Sequence, residues 1–266
     1  DQAAALVKSG NAVFIGEFVQ GVEAVEAALA LRKNELRDVI LISTTRVRPL
    51  KCVEADPLRE SFIWDDWHFS GLGRKLGEKG LASYIPFAYH QGPRSVMLYE
   101  EPDVAVVQVT PMDANGFFNF STSCSMTPSY CRKAKKVVVE VNTNTPRCLG
   151  GRDECIHISQ VSMVVEGPNT PLVQLPEIPA SDADRAIAAH VMNLLEDGST
   201  IQLGIGGLQR ALMGFALGVQ ASPMVGRRMR ARSHACSRVA ASTSSSEVSP
   251  DSTLRRPASR RLRTPS

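Results

Sequence analysis

The chain lacks any apolar run near the ~18 residues that a membrane-spanning helix needs. Its longest ones, such as Val104–Val107 and Val137–Val139, have the size of strands, so no membrane partner is expected. It also lacks a C-x-x-C pair. Six cysteines stand at Cys52, Cys124, Cys131, Cys148, Cys155 and Cys236, and the five histidines do not cluster with them. The seven-residue spacings Cys124/Cys131 and Cys148/Cys155 are not those of zinc ligands, so no metal site and free thiols in a reducing compartment are expected. The start, Asp-Gln-Ala-Ala-Ala, carries no initiator Met, basic n-region or apolar h-region, and reads as a fragment or a chain with its first residues removed. Acid is nearly absent from residues 226–266, which hold ten Arg, ten Ser, no Lys and no aromatic against Glu247 and Asp251. The overall net charge of +3 is therefore divided, +8 in that tail and −5 in residues 1–225. The body has no basic stripe, so nucleic acid is not an expected partner of it.

Residues 1–225 alternate strand and helix patterns between short Gly and Pro punctuation. Ala4–Lys8 reads as the end of a helix, broken at Ser9-Gly10. Ala12–Ile15 reads as a buried strand, with Gly16 opening a loop, and Val22–Arg32 as a helix. Val39–Ile42, Val104–Thr110 and Lys136–Val141 read as further strands. Continuous apolar strands of this kind suit a parallel sheet covered on both faces, and their alternation with helices argues for an α/β fold.

The same order of elements recurs later. Helix Asp182–Leu195, Asp197-Gly198, strand Thr200–Leu203, Gly204 and a helix from Leu208 repeat the arrangement around Gly10 and Gly16. The expectation is therefore two similar open-sheet α/β domains, the second incomplete. Residues 1–179 form the first, residues 180–225 the start of the second after the linker Pro168–Pro179, and residues 226–266 a disordered tail. That tail cannot bury enough apolar surface to offset the entropy of ordering. It reads either as a natural disordered segment or as an out-of-frame stretch.

Several segments could carry chemistry. Gly204-Ile205-Gly206-Gly207 follows a strand and opens a helix, where exposed N–H groups can hold an anion or an oxyanion. A tight structural turn is the equal alternative. It is neither G-x-G-x-x-G nor a phosphate loop with G-K-[ST]. Thr110-Pro111-Met112-Asp113-Ala114-Asn115-Gly116 follows a strand and is either a ligand loop at the carboxyl end of the sheet or a plain connection. Trp64–Gly71 packs aromatics, Asp65, Asp66 and His68 together. His68 could exchange a proton with either acid, although a structural cluster is the better reading. Glu154 and His157 could pair, with a satisfied structural His157 preferred.

Taken in order, these segments resemble one family. They are Trp64–Gly71 with Arg74-Lys75-Leu76, Tyr84-Ile85-Pro86, Val109–Gly116 followed by Phe117–Phe120, Val139–Asn142, Gly150–Ser159, Val165–Asn169, and Glu196–Gly198 with Gln202–Gly207. The chain resembles the acetyl-CoA hydrolase/transferase family over roughly residues 5–217, and within it the butyryl-CoA:acetate and 4-hydroxybutyrate CoA-transferases. That resemblance implies two α/β domains with the active site at their interface and a glutamyl–CoA thioester as intermediate. Its substrates would be a short acyl-CoA and a small carboxylate such as acetate, with coenzyme A as substrate and no resident cofactor. A homo-oligomer is implied when intact, in the cytoplasm or, in a eukaryote, the mitochondrion or hydrogenosome. Gly204, Ile205, Gly206 and Gly207 would hold CoA or the oxyanion, and Thr110, Pro111, Met112, Asp113, Gly116 and His68 are candidates for the substrate pocket. The family's nucleophilic glutamate lies in a Val/Ile-His-Thr/Ser-Glu-Met segment about two dozen residues past the Gly-rich turn. Here the equivalent stretch, Val225–His234, contains no acid, and Leu208-Gln209-Arg210 already departs from the family's Met/Ile-Pro-Asn/Asp. No catalytic glutamate is therefore identified, and transfer by this chain alone is not expected. Acyl-CoA hydrolysis and non-catalytic CoA binding are the alternatives.

Overall fold

A computed structural model of the chain describes residues 1–149, 151–173, 180–195 and 212. The expectations for Gly204–Gly207, Thr200–Leu203, the helix from Leu208 apart from residue 212, Cys236 and the tail lie outside the described residues, as does part of the Pro168–Pro179 linker.

Nine strands are present among the described residues: β1 (Ala12–Glu17), β2 (Val39–Thr44), β3 (Phe62–Asp66), β4 (Ser83–Tyr84), β5 (Val104–Val109), β6 (Phe117–Asn119), β7 (Lys136–Val141), β8 (Cys155–His157) and β9 (Met163–Glu166). The helices are α1 (Glu23–Leu31), α2 (Lys51–Ala55), α3 (Gly71–Glu78), α4 (Gly92–Tyr99), α5 (Thr127–Lys133) and α6 (Asp182–Met192). Seven strands form one sheet in the order β4-β3-β2-β1-β5-β7-β9, with every neighbouring pair parallel. β6 and β8 form a separate antiparallel ribbon. This is an α/β fold built on a parallel sheet.

The apolar runs are buried on both faces, as a doubly covered parallel sheet requires. Val13, Ile15, Leu41, Val104, Val106 and Val138 point to one face, where Val25 and Leu29 of α1 and Val53 of α2 cover them. Phe14, Ile42, Ala105, Val107, Val137 and Val139 point to the other, beneath Val96 of α4 and Tyr130 of α5. The Phe14 and Tyr130 rings stack there with centroids 4.0 Å apart. A side chain buried in this way contributes about 1.5–3 kcal/mol.

Some boundaries differ from the sequence reading. Ala4–Lys8 is not the end of an α-helix: Ala4–Leu6 form a single 3-10 turn, and Val7 is already extended. α1 starts at Glu23 because Val22 is not helical (φ −100°, ψ 59°). Gly16 does not end β1. The strand passes through it to Glu17, and the pairing with β2 shifts register between Phe14 and Glu17. Gly16 sits at φ +80°, a conformation open to glycine that lets the strand bulge and continue. α6 ends at Met192 rather than Leu195 and begins with a capping box between Ser181 and Asp184.

Candidate functional site at the carboxyl edge of the sheet

The chain builds outward from β1 through β2, β3 and β4, then returns to the other side of β1 with β5, β7 and β9. The reversal lies between β1 and β5. In open parallel sheets, ligands bind outside the carboxyl ends of the strands at such a point. Polar and charged residues collect at that edge and are buried: Glu17 at the end of β1, Arg46 after β2, Asp66 at the end of β3, Thr110 after β5, Glu140 near the end of β7 and Asn142 just after it. Three non-glycine residues next to strand ends here are left-handed, Phe18 (φ 52°), Thr45 (φ 51°) and Ser121 (φ 59°). Such backbone persists only where surrounding contacts over-determine it, and it concentrates at functional sites.

Two carboxyl groups organise this edge. Glu17 accepts the Ser125 N–H at 2.8 Å, the Met126 N–H at 3.1 Å, the Thr127 N–H at 3.3 Å and the Thr127 hydroxyl at 2.9 Å. It thereby ties β1 to the start of α5. Glu140 accepts the Ala24 N–H at 3.1 Å and the Val25 N–H at 3.0 Å, so it fills the N-terminus of α1. Burial pushes both carboxyls above their ordinary range, against the pull of these donors. Gly167 makes room for Glu140, since a Cβ there would stand 3.1 Å from the Glu140 carboxyl and 2.8 Å from the Val141 carbonyl oxygen.

Between these groups, Gln20 closes the switch point. Its amide nitrogen donates to the carbonyls of Phe120 (2.9 Å), Ser123 (3.1 Å) and Gln108 (3.3 Å), while the Gln108 amide donates to the Gly21 carbonyl at 2.6 Å. On the β2 side, Arg46 is buried and ion-paired with Glu26 at 3.1 Å, and donates to the Ile15 carbonyl at 2.7 Å. Burial raises Glu26, and the Arg46 charge opposes that rise.

Asp66 carries the most distinctive electrostatics. Its Oδ1 accepts the Thr45 N–H at 2.9 Å and the Ser43 hydroxyl at 3.2 Å. Its Oδ2 is buried without a partner in hydrogen-bonding geometry among the described residues. Burial pushes the carboxyl up to about 6; Thr45, Ser43, the Arg46 charge and, least, the His68 N–H pull it down. The Ser43 hydroxyl also accepts the Trp64 indole N–H at 2.8 Å. Trp64–Gly71 is thus a packed strand end, with Ser70 capping α3. The His68 side chain is exposed, and Asp65 turns instead to Ser83 and Arg59.

The residues Thr110–Gly116 lie together on one turn joining β5 to β6. Thr110 is buried and exchanges bonds with Asn119, accepting its N–H at 3.2 Å and donating its own N–H to the Asn119 carbonyl at 2.9 Å. Asp113 accepts the N–H groups of Asn115 and Phe117, each at 2.9 Å, and pairs with Arg147 at 2.9 Å. The Phe117 N–H above all holds the Asp113 carboxyl below its ordinary range. Gly116 closes the turn at φ +83°. Pro111 and Met112 are left exposed at the tip. His68, following β3, is separated from this turn by β2 and β1 in the sheet order. His157 does not pair with Glu154: its Nδ1 meets the Ser159 hydroxyl at 2.8 Å. Among the described residues, no three His, Cys, Asp or Glu side chains converge as a metal would need. No helix among them is long and apolar enough to cross a membrane.

Sequence reasoning missed Glu17, Gln20, Arg46 and Glu140. A signal existed for two of them: Glu17 and Glu140 each stand at or near the end of a continuous apolar run, where a charged residue needs a built partner.

Residues 1–176 match the family model for the acetyl-CoA hydrolase/transferase N-terminal domain. The chain belongs to the acetyl-CoA hydrolase/transferase family. Relatives within this family include a butyryl-CoA:acetate CoA-transferase of Anaerostipes caccae, 40% identical over 214 residues, which cover 80% of this chain and 48% of that protein. A 4-hydroxybutyrate coenzyme A transferase of Clostridium kluyveri is 36% identical over 54% of this chain and 33% of its own length. Among solved structures, RipA from Yersinia pestis superposes with a TM-score of 0.70 at 26% identity, covering 80% of this chain and 52% of that one. The chain spans about half the length of the curated relatives it matches first.

Proposed function

We propose that the chain supplies the N-terminal half of a CoA-transferase acting on a short-chain acyl-CoA, such as butyryl-, acetyl- or 4-hydroxybutyryl-CoA, and a carboxylate such as acetate. The observation that carries this reading is the 40% identity to the butyryl-CoA:acetate CoA-transferase over 80% of the chain. The polar carboxyl edge at the sheet's reversal supports it as the wall that faces substrate. Residues 1–179 would form one domain and residues 180–225 the opening of a second, with the capped start of α6 at Ser181 beginning it.

In the reaction, a glutamate carboxylate attacks the thioester carbonyl, giving an acyl–glutamyl anhydride and CoA thiolate. The thiolate attacks the glutamyl carbonyl, releasing the acyl carboxylate and leaving a glutamyl–CoA thioester. The incoming carboxylate then reverses these two steps. Desolvation makes the carboxylate a competent nucleophile, and binding of the remote parts of CoA lowers the barrier. The N–H groups of Gly206 and Gly207 would hold the oxyanion, with Gly204 and Ile205 beside CoA. The turn Thr110–Gly116 would stand at the mouth of the pocket, with His68 toward its β3 side. The nucleophile would come from outside this sequence, since residues 225–234 hold no acid. The intact protein would be a homo-oligomer and would need no resident cofactor.

Incubating the chain with butyryl-CoA, with and without acetate, tests this reading. Binding without release of thiol is the expected result. Acetate-dependent formation of acetyl-CoA by this chain would overturn the assignment of the nucleophile. Release of CoA without acetate would favour hydrolysis. Failure of butyryl-CoA to bind at all would remove the substrate assignment. Sequencing the coding region from the Leu203 codons in all three frames decides whether a His-x-Glu-Met-like segment is encoded there.

A further inference from the structure

We propose that Asn115 is a self-modification site, converting to isoaspartate through a succinimide at a rate set by the hydrogen bonds that Asp113 makes across the turn Thr110–Gly116. Of the eight asparagines in the chain, Asn115 alone precedes a glycine. Ring closure brings the main-chain nitrogen of the next residue onto the side-chain carbon of the asparagine, and a side chain on that next residue obstructs the approach. Gly116 carries none. Asn115 is exposed at the tip of the turn, where water reaches it.

The fold demands this vulnerable pair. Gly116 sits at φ +83°, and a Cβ there would stand 2.9 Å from His157 Nε2. Glycine is therefore required at 116 by both backbone and packing. The same fold holds the reacting nitrogen off its target. The Gly116 N–H donates to the Asp113 carbonyl at 3.0 Å, and the Gly116 carbonyl accepts the Ile158 N–H at 2.9 Å. Asp113 Oδ1 accepts the N–H groups of Asn115 and Phe117, each at 2.9 Å, which closes an Asx turn around the residue that would react. The Asp113 N–H donates to the Phe117 carbonyl at 2.9 Å, and Arg147 pairs with Asp113 Oδ2 at 2.9 Å. Cyclisation must break the bond from the Gly116 N–H, so it proceeds from a locally opened turn.

The chemistry needs only water and base. The Gly116 nitrogen gives up its proton to hydroxide and attacks the Asn115 side-chain carbonyl carbon. The new C–N bond closes the five-membered ring, the bond to the side-chain amide nitrogen breaks, and that nitrogen leaves as ammonia after protonation by water. Water then adds to one of the two ring carbonyls. Cleavage at the main-chain carbonyl gives isoaspartate, and cleavage at the side-chain carbonyl gives aspartate. The net change is one water consumed and one ammonia released, with nothing oxidised or reduced. Isoaspartate routes the main chain through the former side chain, which adds a methylene and leaves a free carboxylate beside Asp113. The turn that resisted the reaction cannot then close as before.

The test incubates the full chain in mildly alkaline buffer, folded and in urea. Samples are digested and mapped by mass spectrometry for amide-to-acid conversion, with isoaspartyl and aspartyl peptides separated. Asn115 should be the first asparagine to convert, with isoaspartate as the main product. Conversion should be at least about tenfold slower in the folded chain than in urea, and Asp113→Ala, checked for folding by its thermal melt, should recover about tenfold, since hydrogen bonds to a charged acceptor are worth at least that factor. Earlier conversion of another asparagine in the unfolded chain, or aspartate without isoaspartate, would overturn the succinimide assignment. A folded Asp113→Ala protein that converts no faster than the unsubstituted one would overturn the role of Asp113. If Asp113→Ala does not fold, the unsubstituted chain decides, because equal rates with and without urea refute control by the turn.

Discussion

Replacing Asp66 by Asn should remove a definite piece of the protein's pH dependence. The carboxyl titrates near 6 in the folded chain against 3.8 ordinarily, because burial disfavours its charge. A raised carboxyl binds its proton more tightly when folded, so stability is greatest below the unfolded value and falls as pH rises through the folded one. The shift of about two units corresponds to about 3 kcal/mol lost between pH 4 and pH 7. Asn keeps the acceptor that receives the Thr45 N–H and the Ser43 hydroxyl, and it has no charge to desolvate. Urea unfolding of both proteins at steps from pH 4 to pH 7 isolates this contribution as the change in their stability difference, since all other titrations are shared. The Asn variant should gain on the unsubstituted protein by about 3 kcal/mol over that window. A constant difference across the range, or one moving in the opposite direction, would refute the account of Asp66 as a buried carboxyl held against desolvation.

Three further outcomes follow from the same edge. Glu140→Ala strips the acceptor from the Ala24 and Val25 N–H groups and should cost about 2–4 kcal/mol in urea unfolding. Gly167→Ala places a methyl 2.8 Å from the Val141 carbonyl and should lower stability by about 1–3 kcal/mol, read as a drop in Tm. Trp64→Phe keeps the ring in place but loses the 2.8 Å bond to Ser43, for a cost near 1 kcal/mol and a measurable change in near-UV circular dichroism.

The parallel sheet was legible because strands such as Val104–Val109 and Lys136–Val141 are continuous apolar runs, a pattern that burial on both faces imposes. Gly16 misled for a local reason. Glycine ends many strands, and only the pairing of Glu17 with Thr44 reveals that this one continues. Thr110–Gly116 was readable as a turn from Pro111 and Asn115-Gly116. Its tie to Arg147 was not, because the Asp113–Arg147 pair joins residues far apart in sequence. The network of Gln20 with Gln108, Phe120 and Ser123 was likewise hidden, since it is created by bringing β1 beside β5.

The carboxyls of Glu17 and Glu140 have one more consequence. Helix N-termini at the carboxyl edge of an α/β sheet are the usual cradle for a nucleotide's phosphates. Here the starts of α1 and α5 are already occupied from within. Any phosphorylated compound meeting this edge encounters acidic groups where others of its architecture offer open amides. Those two helix starts therefore have no open amides left to offer a phosphate.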